Sequence, residues 1–119
     1  MFYKQEIGQN GENIAGNYLE NEGYVIVERN FRCKQGEIDI IAIDKREIVF
    51  IEVKTRRNNK YGNPAEAVDN IKQKHIRKAS KWYVHINNLY NYFIRFDVIE
   101  IYFEKNSCRI NHIKQAIDY

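Results

Sequence analysis

Asp39, Glu52 and Lys54 are the residues whose types and spacing could do chemistry together. Asp39 stands in the run Gly36-Glu37-Ile38-Asp39, and Glu52 and Lys54 are the ends of Glu52-Val53-Lys54. Both runs are rich in β-formers, and the short polar break Lys45-Arg46 between them reads as a hairpin turn. If Asp44 faces Glu47 across that turn, Asp39 falls directly opposite Glu52. Side chains alternate with period two, so Lys54 shares their face. Opposed Cβ atoms lie about 4.5–5.5 Å apart. Two carboxylates that close repel by roughly 3 kcal/mol at an effective dielectric near 20. A cation between them, or a proton on one, removes that cost. Two carboxylates with water or carbonyls make a hard oxygen site that suits Mg²⁺ or Mn²⁺. A lysine beside such a site can orient a water or stabilise charge on a phosphate in flight. The same register also allows a plain cross-strand ion pair between Glu37 and Lys54.

A basic segment follows this cluster. From Lys54 to Lys81, nine Lys or Arg residues stand against only two acids, Glu66 and Asp69, while the whole chain nets +3. Such clustering suits a polyanion partner, and a solvated helix face is the plainer reading. Lys74, Arg77, Lys78 and Lys81 recur at helical spacing, and Arg56, Arg57 and Lys60 precede them. Tyr61, beside Gly62, is the aromatic best placed to stack on a base, or else packs half-buried in its loop. Lys72 departs from the stripe of the other lysines. Its stem either runs out past the core or carries its ammonium toward the site or a phosphate. Glu12 stands at the border of an apolar helix face, either as a boundary glutamate or reaching the same metal.

These side chains need a scaffold, and the pattern predicts one. Residues from about Lys4 to Glu22 read as a helix with Ile7, Gly11, Ile14, Ala15 and Tyr18 on one face. Gly8 and Gly11 each cost a helix roughly 1 kcal/mol relative to Ala, which suits a close approach to a sheet. Gly23 reads as the C-terminal cap. Strands are predicted over Tyr24–Arg32, Gly36–Asp44, Glu47–Arg57 and Asn91–Phe103, with a shorter one over Cys108–Ile113. Asn58–Asn63 reads as a loop, and Pro64 suits the first position of a helix that runs to about Asn87. Val68, Ile71, His75, Ala79, Trp82 and Ile86 form its expected apolar stripe, with His75 a core histidine and Trp82 and Tyr83 at core spacing. His85 and His112 have no spaced partner, and Asp97 reads as structural or as support for the site. The order α-β-β-β-α-β predicts an α/β fold, a mixed sheet flanked by helices, with the third and fourth strands parallel.

The length fits a single domain over residues 1–119. An apolar share of 44% against 29% charged residues is a globular composition, not a disordered one. No window reaches the roughly 20 apolar residues of a membrane span, and the first residues lack the layout of a secretory signal. Cys33 and Cys108 have no metal-type spacing, so a reducing, cytoplasmic setting is expected. No Gly-rich phosphate loop, Ser-His-Asp set or nucleophile elbow is present.

The succession GENIAGNYL, GYVIVERNFR, GEIDIIAID, IVFIEVKTR, YGNPAEAV and RFDV, covering about Gly8 to Val98, resembles the YraN family. That bacterial family belongs to the restriction-endonuclease-like group, with a PD-(D/E)-x-K site, and is similar in plan to archaeal Holliday-junction resolvases. The resemblance implies that Asp39 is the motif's aspartate and a metal ligand, that Glu52 and Lys54 are its E-x-K, and that Glu12 matches a helix glutamate near the metal. The proline before the aspartate is absent, since Ile38 precedes Asp39. It further implies a Mg²⁺- or Mn²⁺-dependent nuclease acting on DNA, branched or structured DNA included, and by analogy a homodimer. Two other readings share these residues: a nucleic-acid-binding module without hydrolysis, and a protein-interaction domain whose basic stripe meets an acidic partner.

Overall fold

A computed structural model describes residues 2–4, 10–56 and 70–118 of the chain. The elements run β1 (Phe2–Lys4), α1 (Gly11–Asn21), β2 (Val25–Cys33), β3 (Gly36–Asp44), β4 (Glu47–Arg56), α2 (Asn70–Ile86), β5 (Phe93–Phe103) and β6 (Ser107–Ile113). The strands form one mixed sheet in the order β1-β6-β5-β4-β3-β2. Among the described strands only β4 and β5 are parallel, joined by the crossover that carries α2, as predicted. The hairpin register is also as predicted, with Asp44 facing Glu47 and Ile43 facing Ile48.

Two boundaries differ from the sequence reading. Lys4 is not the start of a helix: residues 2–4 form β1 and pair with β6. A three-residue strand is too short to show a period, and only its partner creates it. Helix α1 starts at Gly11, where Asn10 caps it by accepting the Asn13 N–H at 2.9 Å. The expected close approach is real at Gly11, where a Cβ would collide with the Thr55 side chain. Gly23 has φ +94° just past the helix end, the conformation that favours glycine. Ile7, Gly8, the loop Asn58–Asn63, Pro64 and Val68 lie outside the described residues.

The helices cover opposite faces of the sheet. Ile14, Ala15, Tyr18 and Leu19 of α1 pack with Ile40, Ala42, Val49, Ile51, Ile99 and Ile101. Ile76, Ala79, Tyr83 and Val84 of α2 pack with Ile41, Ile48, Phe50, Phe96 and Val98. Helix α2 is therefore turned from its predicted orientation. Ala79 is buried as expected, but Ile71, His75, Trp82 and Ile86 are exposed. The helix is apolar on two sides, and periodicity alone cannot choose between them. Ser80 tips the choice against a hydropathy count, because it is fully buried with its hydroxyl donating to the Arg77 carbonyl at 2.7 Å.

Arg95 ties the closed end of the hairpin to the rest. Its guanidinium donates to Asp97 (3.0 and 2.9 Å), Glu47 (2.9 Å), Asp44 (3.3 Å) and the Tyr24 hydroxyl (2.6 Å). Asp97 is fully buried and also meets His112 Nε2 at 2.7 Å and the Gln115 N–H at 3.0 Å. His112 in turn meets the Tyr18 hydroxyl of α1 at 2.9 Å, so this histidine has partners that its sequence neighbours do not reveal. Asp97 is structural, as one of its two readings held. Burial pushes its carboxyl up, but bonds from His112, Arg95 and Gln115 outweigh that and hold it below the ordinary range. Removing one member of such a set leaves another buried charge unpaired. Arg95→Met should lower unfolding stability by about 3–5 kcal/mol in denaturant titrations, and a loss under about 1 kcal/mol would show the network to be incidental.

Candidate active site

The site forms where β3 and β4 separate. Their ladder ends at Ile40 and Ile51. Beyond that point β3 stays with β2 as far as the pair Gly36–Cys33, while β4 stays with β5 as far as Arg56–Tyr102. The fork would orphan backbone groups on the facing edges. Asp39 fills part of the gap, its Oδ2 accepting the Val53 N–H at 2.8 Å. Asp39 and Glu52 are thus brought together as the register predicts, but at the mouth of a fork and not as a rung of the ladder. Phe50 packs in the α2-side core, so alternation turns Glu52 and Lys54 toward α2.

Glu52 is 5% exposed, and Lys72 and Lys54 approach its Oε1 at 2.7 and 3.4 Å. Of the two readings of Lys72, the structure selects the inward one. Lys72 lies two turns before Ala79 on nearly the same side of α2, and Ala79 is buried as expected, so that side carries Lys72 toward the sheet. Bonding to Glu52 raises the Lys72 ammonium above its usual range against the opposing effect of burial. Asp39 is pushed up to about 7, first by burial and then by the charge of Glu52, with the Val53 bond pulling it down and Glu12 adding further. Glu12 sits half-buried on the first turn of α1 and acts on the same cluster by charge. Arg29 donates to the Glu12 carbonyl at 3.4 Å and steadies that turn over the sheet.

Glu37 pairs with Arg32 at 3.2 Å, so the expected alternative of a Glu37–Lys54 bridge is replaced by two other ion pairs. Lys74, Lys78 and Lys81 are exposed on α2, and Arg77 is half-buried with a 3.4 Å bond to the Asp118 carbonyl. Arg56 is half-buried at the end of β4; Arg57, Lys60 and Tyr61 lie outside the described residues. Sequence reasoning missed Glu100. It neighbours Lys54 on the parallel strand β5 and is fully buried, accepting from Asn111 at 2.7 Å. Its Oε2 has no hydrogen-bond partner among the described residues. A glutamate between Ile99 and Ile101 in an otherwise apolar run was the available signal.

Among the described residues no three His, Cys, Asp or Glu side chains converge into a ready-made metal cage. Mg²⁺ does not need one, since it keeps several waters and takes one or two carboxylates. Asp39 and Glu52 fit that role. They are oxygen donors, and the upward push on Asp39, from burial first and the charge of Glu52 second, is one that a nearby cation would oppose. No helix among the described residues is long and apolar enough to cross a membrane.

The model of "Uncharacterised protein family UPF0102" matches residues 11–101. A UPF0102 protein of Clostridium perfringens strain 13 is 53% identical over 116 residues, covering 96% of this chain and 95% of its own. One from Caldanaerobacter subterraneus subsp. tengcongensis is 47% identical over 116 residues, at 95% of each chain. One from Clostridium botulinum strain 657 is 52% identical over 101 residues, covering 84% of this chain and 82% of its own.

The raised Asp39 gives a pH signature. Between about pH 4 and 7 the folded chain keeps a proton on Asp39 that the unfolded chain has released. Stability contributed by this group is therefore present below about pH 4, is lost as pH rises, and levels off above about 7. Asp39→Asn keeps an acceptor for the Val53 N–H and removes the charge. In metal-free buffer the variant and the wild type should melt together near pH 4. At pH 8 the variant should be more stable, by on the order of 1–2 kcal/mol after solvent screening. A wild type at least as stable as the variant at pH 8 would contradict the crowding.

Proposed function

We propose that this chain, which belongs to the UPF0102 family, is a divalent-metal-dependent nuclease of restriction-endonuclease-like fold. The observation that carries the reading is the acid pair at the fork, half-buried Asp39 beside buried Glu52, with two lysines on Glu52. Asp39 and Glu52 would hold Mg²⁺ or Mn²⁺, with Glu12 assisting. Such an ion, when bound, polarises a phosphate oxygen and makes water more acidic. Lys54 then orients the attacking water or meets the charge developing on phosphorus. Lys72, released from Glu52, stays within the same cluster as a second cation for phosphate. The exposed Lys74, Lys78 and Lys81 would contact backbone phosphates, giving affinity without sequence reading and a steep salt dependence.

One observation favours the second reading, a nucleic-acid-binding module of the same fold without hydrolysis. Lys72 and Lys54 meet Glu52 with two positive charges, which suits a structural ion pair as well as a metal ligand. A cleavage panel separates the two: single-stranded, duplex, flapped and four-way DNA, and matching RNA, with Mg²⁺ or Mn²⁺. The nuclease reading expects cleavage that Asp39→Ala or Glu52→Ala lowers by more than the about 10–100-fold that losing a supporting residue costs. Unchanged cleavage by either variant removes the site assignment. Salt-sensitive binding that survives both variants, with no cleavage by the wild type, selects the binding module. Charge reversal at Lys74, Arg77 and Lys78 should abolish binding under either reading.

A further inference from the structure

The C-terminal half of α2 carries groups that the acid pair does not use. Trp82 and Tyr90 are exposed, at 44% and 64%. His85 lies between them, its ring 5.9 Å from the Trp82 ring and 6.4 Å from that of Tyr90. A 2.7 Å hydrogen bond joins His85 Nδ1 to the Tyr90 hydroxyl, so the row is fixed and not a set of loose rings. The turn after α2 sets this geometry. Asn88 adopts φ +52°, a conformation asparagine tolerates well. The Leu89 N–H then bonds back to the Val84 carbonyl at 3.0 Å and brings Tyr90 against the helix end. Beside the row opens a cavity of about 420 Å³ lined by Lys81, Val84, Leu89, Tyr90, Tyr92 and Ile94. Three aliphatic side chains, two tyrosines and one lysine line it.

We propose that this end of α2 is a docking site for an unpaired base of a single-stranded nucleic acid. The proposal deepens the nuclease reading and rests on it for the nature of the polyanion. Charge selects the class of ligand. The described part of α2 holds five Lys or Arg residues and no acid. A second copy of this chain would set those cations against one another, whereas a phosphate backbone complements them. Aromatic faces beside cations are how proteins hold single strands, because every base has a π-face. A paired base keeps its faces within its own stack and cannot enter such a cavity without being extruded. Position constrains the path. Lys72 touches Glu52, and Lys81 lies nine residues along the same helix, about 14 Å by axial rise but half a revolution round it. A strand joining the two must cross over α2 and so spans more than about four nucleotides at a stacked rise of about 3.4 Å. The favoured substrate is therefore a flap, overhang or single strand whose unpaired part crosses α2 from the cleavage point.

Trp82 is the only tryptophan in the chain, so its emission reports on this site alone. The experiment titrates full-length Asp39→Asn protein, its fold checked by circular dichroism and any cleavage by gel, with a thymidine decamer and with a blunt duplex of equal length. The decamer should quench and shift Trp82 emission, and the duplex should do so far less at equal salt. Tyr90→Ala should weaken decamer binding, read by anisotropy of the labelled strand, about fivefold or more, the low end for one base–ring stack. Tyr90→Phe, which keeps the ring and loses only the bond to His85, should recover most of it. Equal quenching by duplex, or unchanged affinity in Tyr90→Ala, overturns the base site. So does a Trp82 signal that changes with protein concentration and not with nucleic acid, which would make this face a self-association surface. Wild-type cleavage of duplex with no Trp82 response leaves the nuclease reading standing without the base site. A Tyr90-dependent response with no cleavage of any substrate does the reverse.

Discussion

The parting of β3 from β4 beyond Ile40 and Ile51 is the constraint on which the rest of the structure depends. A continuous ladder would close the space between Asp39 and Glu52 with backbone hydrogen bonds. The fork opens it instead, and the cost of an exposed strand edge is partly met by Asp39 accepting the Val53 N–H. Two carboxylates and two lysines then meet at one partly desolvated opening, and the charge of Glu12 on α1 acts on Asp39. Proximity within a low-dielectric site is what makes such groups strong ligands and strong electrostatic partners. It also makes them costly when nothing is bound.

The two ends of the β3–β4 hairpin illustrate opposite solutions to buried charge. At the closed end, Arg95 is surrounded by Asp44, Glu47, Asp97 and Tyr24, and Asp97 is further bonded by His112 and Gln115. Every strong acceptor has a donor, and that end is a fixed anchor. At the open end the acids outnumber what geometry satisfies. Asp39 is pushed toward neutrality, and Glu100 keeps an oxygen without a hydrogen-bond partner among the described residues. Local inconsistency of this kind concentrates where function needs it, while the rest of the fold obeys packing rules. The anchor holds β5, α1 and β6 to the hairpin, so the fork can be strained without loosening the sheet.

Much of this was legible in the sequence. The turn at Lys45-Arg46 implies a register that sets Asp39 opposite Glu52 with Lys54 on the same face, and the structure keeps that register as far as Ile40 and Ile51. The parallel pairing of β4 with β5 followed from the helix between them. What was not legible depended on tertiary choices. Residues Phe2 to Lys4 are a strand only because β6 offers an edge. Helix α2 offered two apolar faces, and the sheet selected Ile76, Tyr83 and Val84 over Ile71, Trp82 and Ile86. That one rotation put Trp82 at the surface, while Lys72, nearly in line with Ala79, stayed on the sheet side. Glu100 and His112 were missed for a related reason: their partners lie on neighbouring strands or on α1, not at any fixed spacing along the chain.

The claim that Asp39 and Glu52 jointly accept a divalent cation is tested most directly by Mn²⁺ binding, followed as loss of the free-ion signal in electron paramagnetic resonance at pH 7.5. The fork predicts one site per chain that disappears in both Asp39→Asn and Glu52→Gln, and that tightens when Lys72→Met removes the ammonium competing for Glu52. No binding by the wild type, or binding that survives both carboxylate changes, would contradict it.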